Sequence, residues 1–411
     1  MEIQEQAEKV KIASSILAGI GVEQLNQAIK FIADELIKNT PQILTANQLD
    51  MKNGLINKMP ESRLDRLMLD EARIKAIASD ADSVANLPDV LGNFEGFTRP
   101  NGLKVTKLTV PLGVVGMIYE SRPNVTVDAT VLCLKSGNAV LLRGGGEAYH
   151  TNQAIVSVIK MALSNAGLPV DSVELVQDTT RDAVMKMMKL TGHLDLLIPR
   201  GGANLIQNVK ENATVPIIET GTGNCHVYLH KDANIQMGLD ILVNAKVQRP
   251  SVCNACENVI VDKEIAPIVL PLIKEVLEKH QVQLRGCSES ASLIDIQIAS
   301  AEDFYTEYND LIISVKVVAD INEGIAHINE HGTQHSEAII TENANAARQF
   351  LQLVDAACVY HNASTRFSDG SELGFGAEIG ISTQKLHARG PFALKELTTY
   401  KYVIEGTGQV R

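Results

Sequence analysis

No apolar run in the sequence approaches the roughly 18 residues that cross a bilayer, so a membrane-spanning helix is excluded. The opening segment, MEIQEQAEKVKIA, is polar and has no apolar stretch followed by a small-residue cleavage site, so no secretory leader is expected. Basic residues are not in excess. Lys and Arg number 37 against 49 Asp and Glu, a net charge of −12, which argues against a nucleic-acid partner. The six cysteines (Cys133, Cys225, Cys253, Cys256, Cys287 and Cys358) are scattered through a large chain, so they form no disulfide framework. A reducing cytoplasm is the expected setting. Internal repeats and low-complexity linkers are absent too, and there is no tryptophan.

What is present is ordinary globular composition, 45% hydrophobic and 21% charged over 411 residues. At roughly 100–200 residues per domain, two or three units are expected. Up to about Val90 the pattern is helical. Ala7, Val10, Ile12, Ile16, Leu17 and Ile20 recur at helical spacing, as do apolar residues across 22–37 and 71–87, with breaks at Gly19–Gly21 and Asn39–Pro41. LKVTKLTV (103–110) alternates like a strand, with one slip of phase at Lys107 that suggests a bulge. Short apolar strands then alternate with helices: VVGMIY, a helix after Pro123, NAVLLR, a helix from about Glu147 to Asn165, then VELVQ, DLLIPR and VPIIE. A second series from about Val227 has strands near ENVIV, SVKVV, EAIIT and ACVYH, and LTTYKYVIEG closes the chain as a strand. Strand–helix alternation builds parallel sheets covered on both faces. The segments 97–111 and 397–406 belong to neither series. Their edges need covering, which predicts a homo-oligomer, dimer or higher.

The most informative stretch is VQRPSVCNACENVIV, between the helix of Asp240–Val247 and the strand of Asn258–Val261. It puts Cys253 on a loop held by rigid elements, where catalytic groups concentrate; the alternative is a small buried hydrophobe. Two glycine-rich turns follow strands. NAVLLRGGGEA brings Arg143, Gly144 and Gly145, and IPRGGANLIQNV puts Gly201 and Gly202 at a helix start whose N–H groups can face a phosphate. Neither turn is GxGxxG, and lone glycine pairs are usually only tight turns. His327, His331 and His335 recur at fours, but Gly332 interrupts any helix and Glu330 is the only nearby carboxylate, so no metal site is expected. CNAC spells C-x-x-C. A redox motif of that kind belongs at a helix start, whereas a strand follows here, so Cys256 is expected to pack, with Cys253–Cys256 oxidation the alternative.

These segments, with ETGTGNCHVYL, HINEHGTQHSEAII and ELGFGAEIGISTQKLHARGP in order, resemble the gamma-glutamyl phosphate reductases (glutamate-5-semialdehyde dehydrogenases) of the aldehyde dehydrogenase superfamily. The resemblance runs from about residue 5 to the C-terminus. It implies an α/β aldehyde dehydrogenase-like fold with two Rossmann-like α/β domains and a small β oligomerisation unit. The expected division is a cofactor domain of 1–96 and 112–225, a catalytic domain of 226–390, and an oligomerisation unit of 97–111 and 391–411. It further implies NADPH-dependent reduction of L-glutamyl 5-phosphate to the 5-semialdehyde with release of phosphate, in proline biosynthesis, through a Cys253 thioester. Functional coupling to glutamate 5-kinase would follow.

On this resemblance Asn124 in SRPNVT is the side-chain oxyanion donor; from the residues alone it is as readily a helix N-cap. Glu219 lies 34 residues before Cys253, where aldehyde dehydrogenases carry a general base, although an acyl-phosphate reductase has no water to activate. Arg143 stands where relatives often have Lys and suits the 2′-phosphate of NADP(H), while Glu307 matches a residue that binds the nicotinamide ribose or is simply a solvated acid. Arg249, His331, His335, Ser364 and Arg366 are expected around the substrate. Two departures stand out: Cys256 replaces an apolar residue, and Pro250 stands where the wider superfamily often has Gly. A hydrolytic aldehyde dehydrogenase is disfavoured, since SRPN and RGGGE lack the Trp and Lys of those enzymes; a non-catalytic nucleotide-binding protein and a thiol–disulfide oxidoreductase are the remaining alternatives.

Overall fold

The protein is described here by a computed structural model covering residues 2–411. Its contacts divide into two compact units. The first runs to Thr220 and takes in Phe375–Gly380 and Phe392–Arg411; the second comprises Gly221–Gly374 and Ile381–Pro391. The division therefore falls a few residues before position 225, and the C-terminal strand counts with the first unit.

The first unit opens with helices α1 (Ile3–Leu17), α2 (Val22–Lys38), α3 (Thr40–Ile56), α4 (Glu61–Leu67) and α5 (Glu71–Ala85). In α2, Leu25, Ala28, Ile29, Ile32, Ala33 and Leu36 are all buried, the single stripe that a 3.6-residue period places inward. The carboxylate of Asp70 caps α5 by accepting the Arg73 N–H at 2.7 Å. Helix α1 departs from expectation. Ala7, Val10 and Leu17 are buried, but Ile12 and Ile16 are 61% and 52% exposed, because they sit together on the opposite face.

Strands β1 (Phe94–Thr98) and β2 (Lys104–Pro111) pair antiparallel, and the C-terminal strand Thr398–Glu405 joins the other edge of β2. The two segments set apart in the sequence thus form one three-stranded sheet. Its register runs unbroken from Phe94↔Leu108 to Thr98↔Lys104, and from Thr398↔Pro111 to Glu405↔Lys104, so Lys107 makes no bulge. The slip of phase has a simpler cause: β1 is exposed throughout and β2 only partly covered, so no buried face enforces strict alternation.

The main sheet of the unit holds β3 (Val114–Tyr119), β4 (Ala139–Gly144), β5 (Val173–Leu175) and β6 (Leu196–Arg200) in the order β5-β4-β3-β6, all parallel. Every residue of β3 and β4 is buried, as expected where both faces are covered. The crossovers are α6 (Pro123–Lys135), α7 (Tyr149–Asn165, after a single 3₁₀ turn at Gly146–Ala148) and α8 (Arg181–Met187), with α9 (Ala203–Asn212) following β6. VPIIE is not a strand. It makes one bridge, Leu197↔Ile217, because Pro216 has no N–H to continue a ladder.

The second unit carries β7 (Cys225–Leu229), α10 (Ile235–Val247), β8 (Cys256–Asp262), α11 (Ala266–Glu278), β9 (Gln283–Gly286), α12 (Ser288–Leu293), β10 (Gln297–Ile298), β11 (Ile312–Val318), α13 (Ile321–His331), β12 (Ser336–Ile340), α14 (Ala344–Leu353) and β13 (Cys358–His361). The seven strands of its main sheet lie in the order β10-β9-β11-β8-β7-β12-β13, all parallel. Val227, Val259, Val261, Val315 and Ala338 pack on one face with Leu270 and Ile273 of α11; Tyr228, Ile260, Ile339 and Phe350 fill the other.

Gly113 connects β2 to β3 at φ +129°, and a Cβ there would lie 2.2 Å from Asp195 Oδ2. That same carboxylate accepts the Val114 N–H at 2.8 Å and pairs with Lys11 at 2.7 Å. Gly113→Ala is expected to destabilise the first unit by about 2 kcal/mol or more, through strain and displacement of Asp195. Thermal unfolding checks this; a Tm indistinguishable from wild type would contradict it.

Candidate active site

In the first unit the two glycine turns fall at the carboxyl ends of β4 and β6, the strands on either side of β3. The chain passes from β3 to β4 and β5 on one side and returns to β6 on the other, a switch of direction beside β3. Parallel sheets take ligands at such a point. Gly144 and Gly145 end β4; Gly201 and Gly202 follow β6. A Cβ on Gly144 would lie 2.2 Å from Asn152 Nδ2, one on Gly145 2.4 Å from the Glu147 carboxylate, and one on Gly201 2.8 Å from Glu120 Oε2. A side chain at any of these positions would displace the polar group packed against the turn. Gly202 is the N-cap of α9, and its N–H donates to Glu120 Oε2 at 3.1 Å, so this helix start already draws an anionic group. Glu147 in turn accepts the N–H and hydroxyl of Ser121 at 2.8 and 2.6 Å.

Arg143 is almost fully buried and donates through Nη2 to the carbonyls of Thr179 and Thr180. Burial lowers its pKa, against the pull of Glu147, Asp178 and Glu120. The guanidinium therefore braces the turn leading into α8, where Thr180 caps the helix, and stands among carboxylates. Glu219 pairs with Lys210 of α9 at 3.2 Å.

Asn124 is not an N-cap. Arg122 holds that position, Pro123 opens α6, and Asn124 stands one residue inside it. Its Nδ2 donates to Asp128 Oδ2 one turn on, at 2.9 Å, which fixes the orientation of the amide. Sequence reasoning missed Asp128, although its i+4 spacing from Asn124 on a helix was visible. Low-polarity surroundings push its carboxyl up to about 7, with Asp80 adding to the shift and Asn124 and Arg200 opposing it.

In the second unit Cys253 lies on the loop between α10 and β8, partly exposed and in no disulfide. Its backbone is pressed against Gly223: a Cβ on Gly223 would fall 1.4 Å from the Cys253 carbonyl oxygen. That N–H of Gly223 donates to Glu307 Oε1 at 2.8 Å, so Glu307 is a bracket under the loop and not a solvated surface acid. The Cys225 thiol donates to the Cys253 carbonyl at 3.3 Å and lies 3.7 Å from His335 Nδ1; burial, first of all, holds that thiol well above its usual pKa.

The next residue, Asn254, is the anchor of the loop. Its amide donates to the carbonyls of Arg366 and Ser368, its oxygen accepts from Arg366 Nη1, and its own carbonyl accepts the Thr365 hydroxyl at 2.7 Å. Arg366 also donates through Nε to Gln248 at 3.1 Å, and its charge is felt at both Cys253 and Arg249. Arg249, Cys253 and Arg366 interact through their charges around Asn254, which the sequence did not single out.

The other residues expected near the substrate are placed differently. His335 has no exposed surface and meets Ser336 Oγ at 2.9 Å; Ser364 is buried and accepts the Arg366 N–H at 3.3 Å. Both shape the loop from behind. His331 ends α13, stacks on His327 at 4.0 Å, meets the Tyr305 ring at a tilt 4.4 Å away, and lends its carbonyl to Asn224. Burial drives His327 down to about 2, so that ring is neutral. Cys256 opens β8, fully buried, with its thiol donating to the Asn258 carbonyl at 3.1 Å, and burial raises its pKa far out of the reactive range. It packs in the core as expected, in a strand rather than at a helix start.

Asp128 carries a consequence for pH. Its folded pKa stands above its ordinary 3.8, so between about pH 4 and 7 the folded chain keeps a proton that the unfolded chain has lost. That contribution to stability is complete below the lower value and disappears as pH rises through the upper one. Asp128→Asn is expected to gain in Tm relative to wild type between about pH 5 and 7.5; a constant difference across that range would contradict the assignment.

The chain matches known proteins in sequence and in fold. Residues 69–292 match the model of the aldehyde dehydrogenase family. The chain is 53% identical over 413 aligned residues, covering all of both proteins, to a gamma-glutamyl phosphate reductase of Caldanaerobacter subterraneus. It superposes on the crystal structure of gamma-glutamyl phosphate reductase from Thermotoga maritima with a TM-score of 0.97 at 46% identity, again over the whole of both chains. An acetylating aldehyde dehydrogenase from Geobacillus thermoglucosidasius shares the fold, with a TM-score of 0.72 at 17% identity over 99% of this chain and 97% of that one. The chain belongs to the gamma-glutamyl phosphate reductase family, oxidoreductases of the aldehyde dehydrogenase fold.

Proposed function

We propose that this enzyme reduces L-glutamyl 5-phosphate to L-glutamate 5-semialdehyde and releases phosphate, with NADPH as reductant, in the cytoplasm as a step of proline biosynthesis. The observation that carries the reading is a partly exposed Cys253, outside any disulfide, on a clamped loop within reach of the charge of Arg366, in a chain that matches gamma-glutamyl phosphate reductases end to end.

In this reading the Cys253 sulfur attacks the acyl carbon, the carbon–phosphate oxygen bond breaks, and inorganic phosphate leaves a thioester on the enzyme. Arg366 and Arg249 favour the thiolate and attract the phosphate. The Asn124 amide and the Cys253 N–H stabilise the oxyanion of each tetrahedral intermediate. Glu219, held by Lys210, assists proton transfer and has no water to activate, since phosphate departs before reduction. His331 borders the substrate site, with the buried His335 and Ser364 shaping its wall from behind.

A nicotinamide dinucleotide fits the first unit, because a Cβ on Gly145 or Gly201 would fill the cradle and the start of α9 already accepts a carboxylate. Gly144, Gly145, Gly201 and Gly202 would hold it, with Arg143 beside its 2′-phosphate and Glu307 at the nicotinamide ribose. When bound it supplies the hydride. Phe94, Phe97, Tyr402 and Ile404, between 58% and 73% exposed on the three-stranded sheet, favour a homo-oligomer formed there. The lability of an acyl phosphate favours direct supply from glutamate 5-kinase.

Cys253→Ser is expected to abolish turnover while NADPH affinity stays within about twofold, checked by initial rates and fluorescence titration; substantial residual reduction would remove Cys253 from the chemistry. Arg143→Ala is expected to raise the KM for NADPH at least about tenfold more than that for NADH. Equal rises would mean that Arg143 only braces Thr179 and Thr180.

A further inference from the structure

Lys246 and Glu257 stand on either side of the Cys253 loop, the first in the last turn of α10 and the second just inside β8. Lys246 Nζ lies 2.5 Å from Glu257 Oε2, and neither side chain has any exposed surface. Stability alone gives no reason for such a pair. Taking both charges out of water costs more than their attraction usually returns, and apolar residues of similar volume often hold a fold better.

What the pair offers is direction. Glu257 Oε2 ties the end of α10 to the start of β8, and its Oε1 accepts the Asn309 N–H at 3.3 Å. Two residues before Asn309 is Glu307, which holds Gly223 against the Cys253 backbone. Beyond Lys246 along the chain is Gln248, which accepts from Arg366, the cation that meets Asn254. Both supports of Cys253, the one beneath its backbone and the one beside its side chain, thus run back to this ion pair.

We propose that Lys246 and Glu257 are positioning residues for the nucleophile: the buried pair sets the orientation of the Cys253 loop and of Arg366, and its role is reactivity of the thiol and not stability of the fold. The inference rests on Cys253 as the nucleophile. A pair that served only packing would be replaceable by an apolar pair at no catalytic cost.

The test compares wild type, the double variant Lys246→Met with Glu257→Met, and Cys253→Ser. It measures thermal unfolding, kcat and KM for NADPH, and alkylation of Cys253 by iodoacetamide across pH, with the site identified by mass mapping. Expected is a double variant whose Tm equals or exceeds that of wild type, with an unchanged KM for NADPH, a kcat lowered about 10²-fold, and slower alkylation of Cys253. Wild-type kcat and alkylation in the double variant would overturn the proposal. If that variant does not fold, Glu257→Gln takes its place: kcat and alkylation must fall together, and an unchanged kcat overturns the proposal. Turnover by Cys253→Ser would instead overturn the nucleophile itself, and so separates the two readings.

Discussion

The second unit is organised around the contact of Gly223 with the backbone of Cys253. Nothing larger than hydrogen fits there, since a Cβ would overlap the Cys253 carbonyl. That contact presses the segment leading into β7 onto the loop leading into β8, and the surrounding bonds maintain it. Glu307 fixes Gly223 from one side, the Cys225 thiol takes the Cys253 carbonyl, and Asn254 fastens the loop to residues 365–368. A reactive sulfur on a loop needs this kind of support, because a displacement of about 1 Å costs on the order of 10² in rate. The functional end of this sheet is also unusual. Cys225, Cys256 and Ser336 open their strands, so the Cys253 loop sits at the amino end of the sheet, whereas the glycine turns of the first unit sit at the carboxyl ends of theirs.

The two units therefore use different physics. In the first, close backbone approach and a helix-start N–H prepare a place for an anion, with Glu120 bonded to Gly202 and Glu147 to Ser121. In the second, buried polar groups in bonded networks hold one thiol in place. Such networks are expensive unless each member finds a partner, and most of this one does. The neutral state of His327 shows how a buried ring lowers that cost by giving up its charge.

Much of this was legible in the sequence. The buried stripe of α2, the strands β3, β4, β8 and β12, and the position of Cys253 on a loop follow from periodicity and from breaks at Gly, Pro and Asn. Where local pattern misled, a tertiary fact prevailed. VPIIE reads as a strand but Pro216 denies it a ladder, and the slip at Lys107 mimics a bulge on a sheet with no fully buried face. Ile12 and Ile16 have helical spacing yet face outward. For the candidate site, Cys253, Arg249 and Arg366 were singled out in the sequence, while Asn254, Gly223 and the Lys246–Glu257 pair were not. Their importance lies in partners more than a hundred residues away, or in burial that a sequence does not display. Asn124 was found with two readings open; the structure removes the N-cap and adds Asp128 beneath it.

The central claim is that phosphate, and not water, is the partner that resolves the enzyme-bound acyl group. The most direct measurement is the reverse reaction, glutamate semialdehyde with NADP⁺, followed by NADPH formation with and without inorganic phosphate. Strict dependence on phosphate is the predicted result, because the thioester is then released by phosphorolysis. Equal rates in its absence would mean that water resolves the thioester, with Glu219 as its base, and would contradict the account.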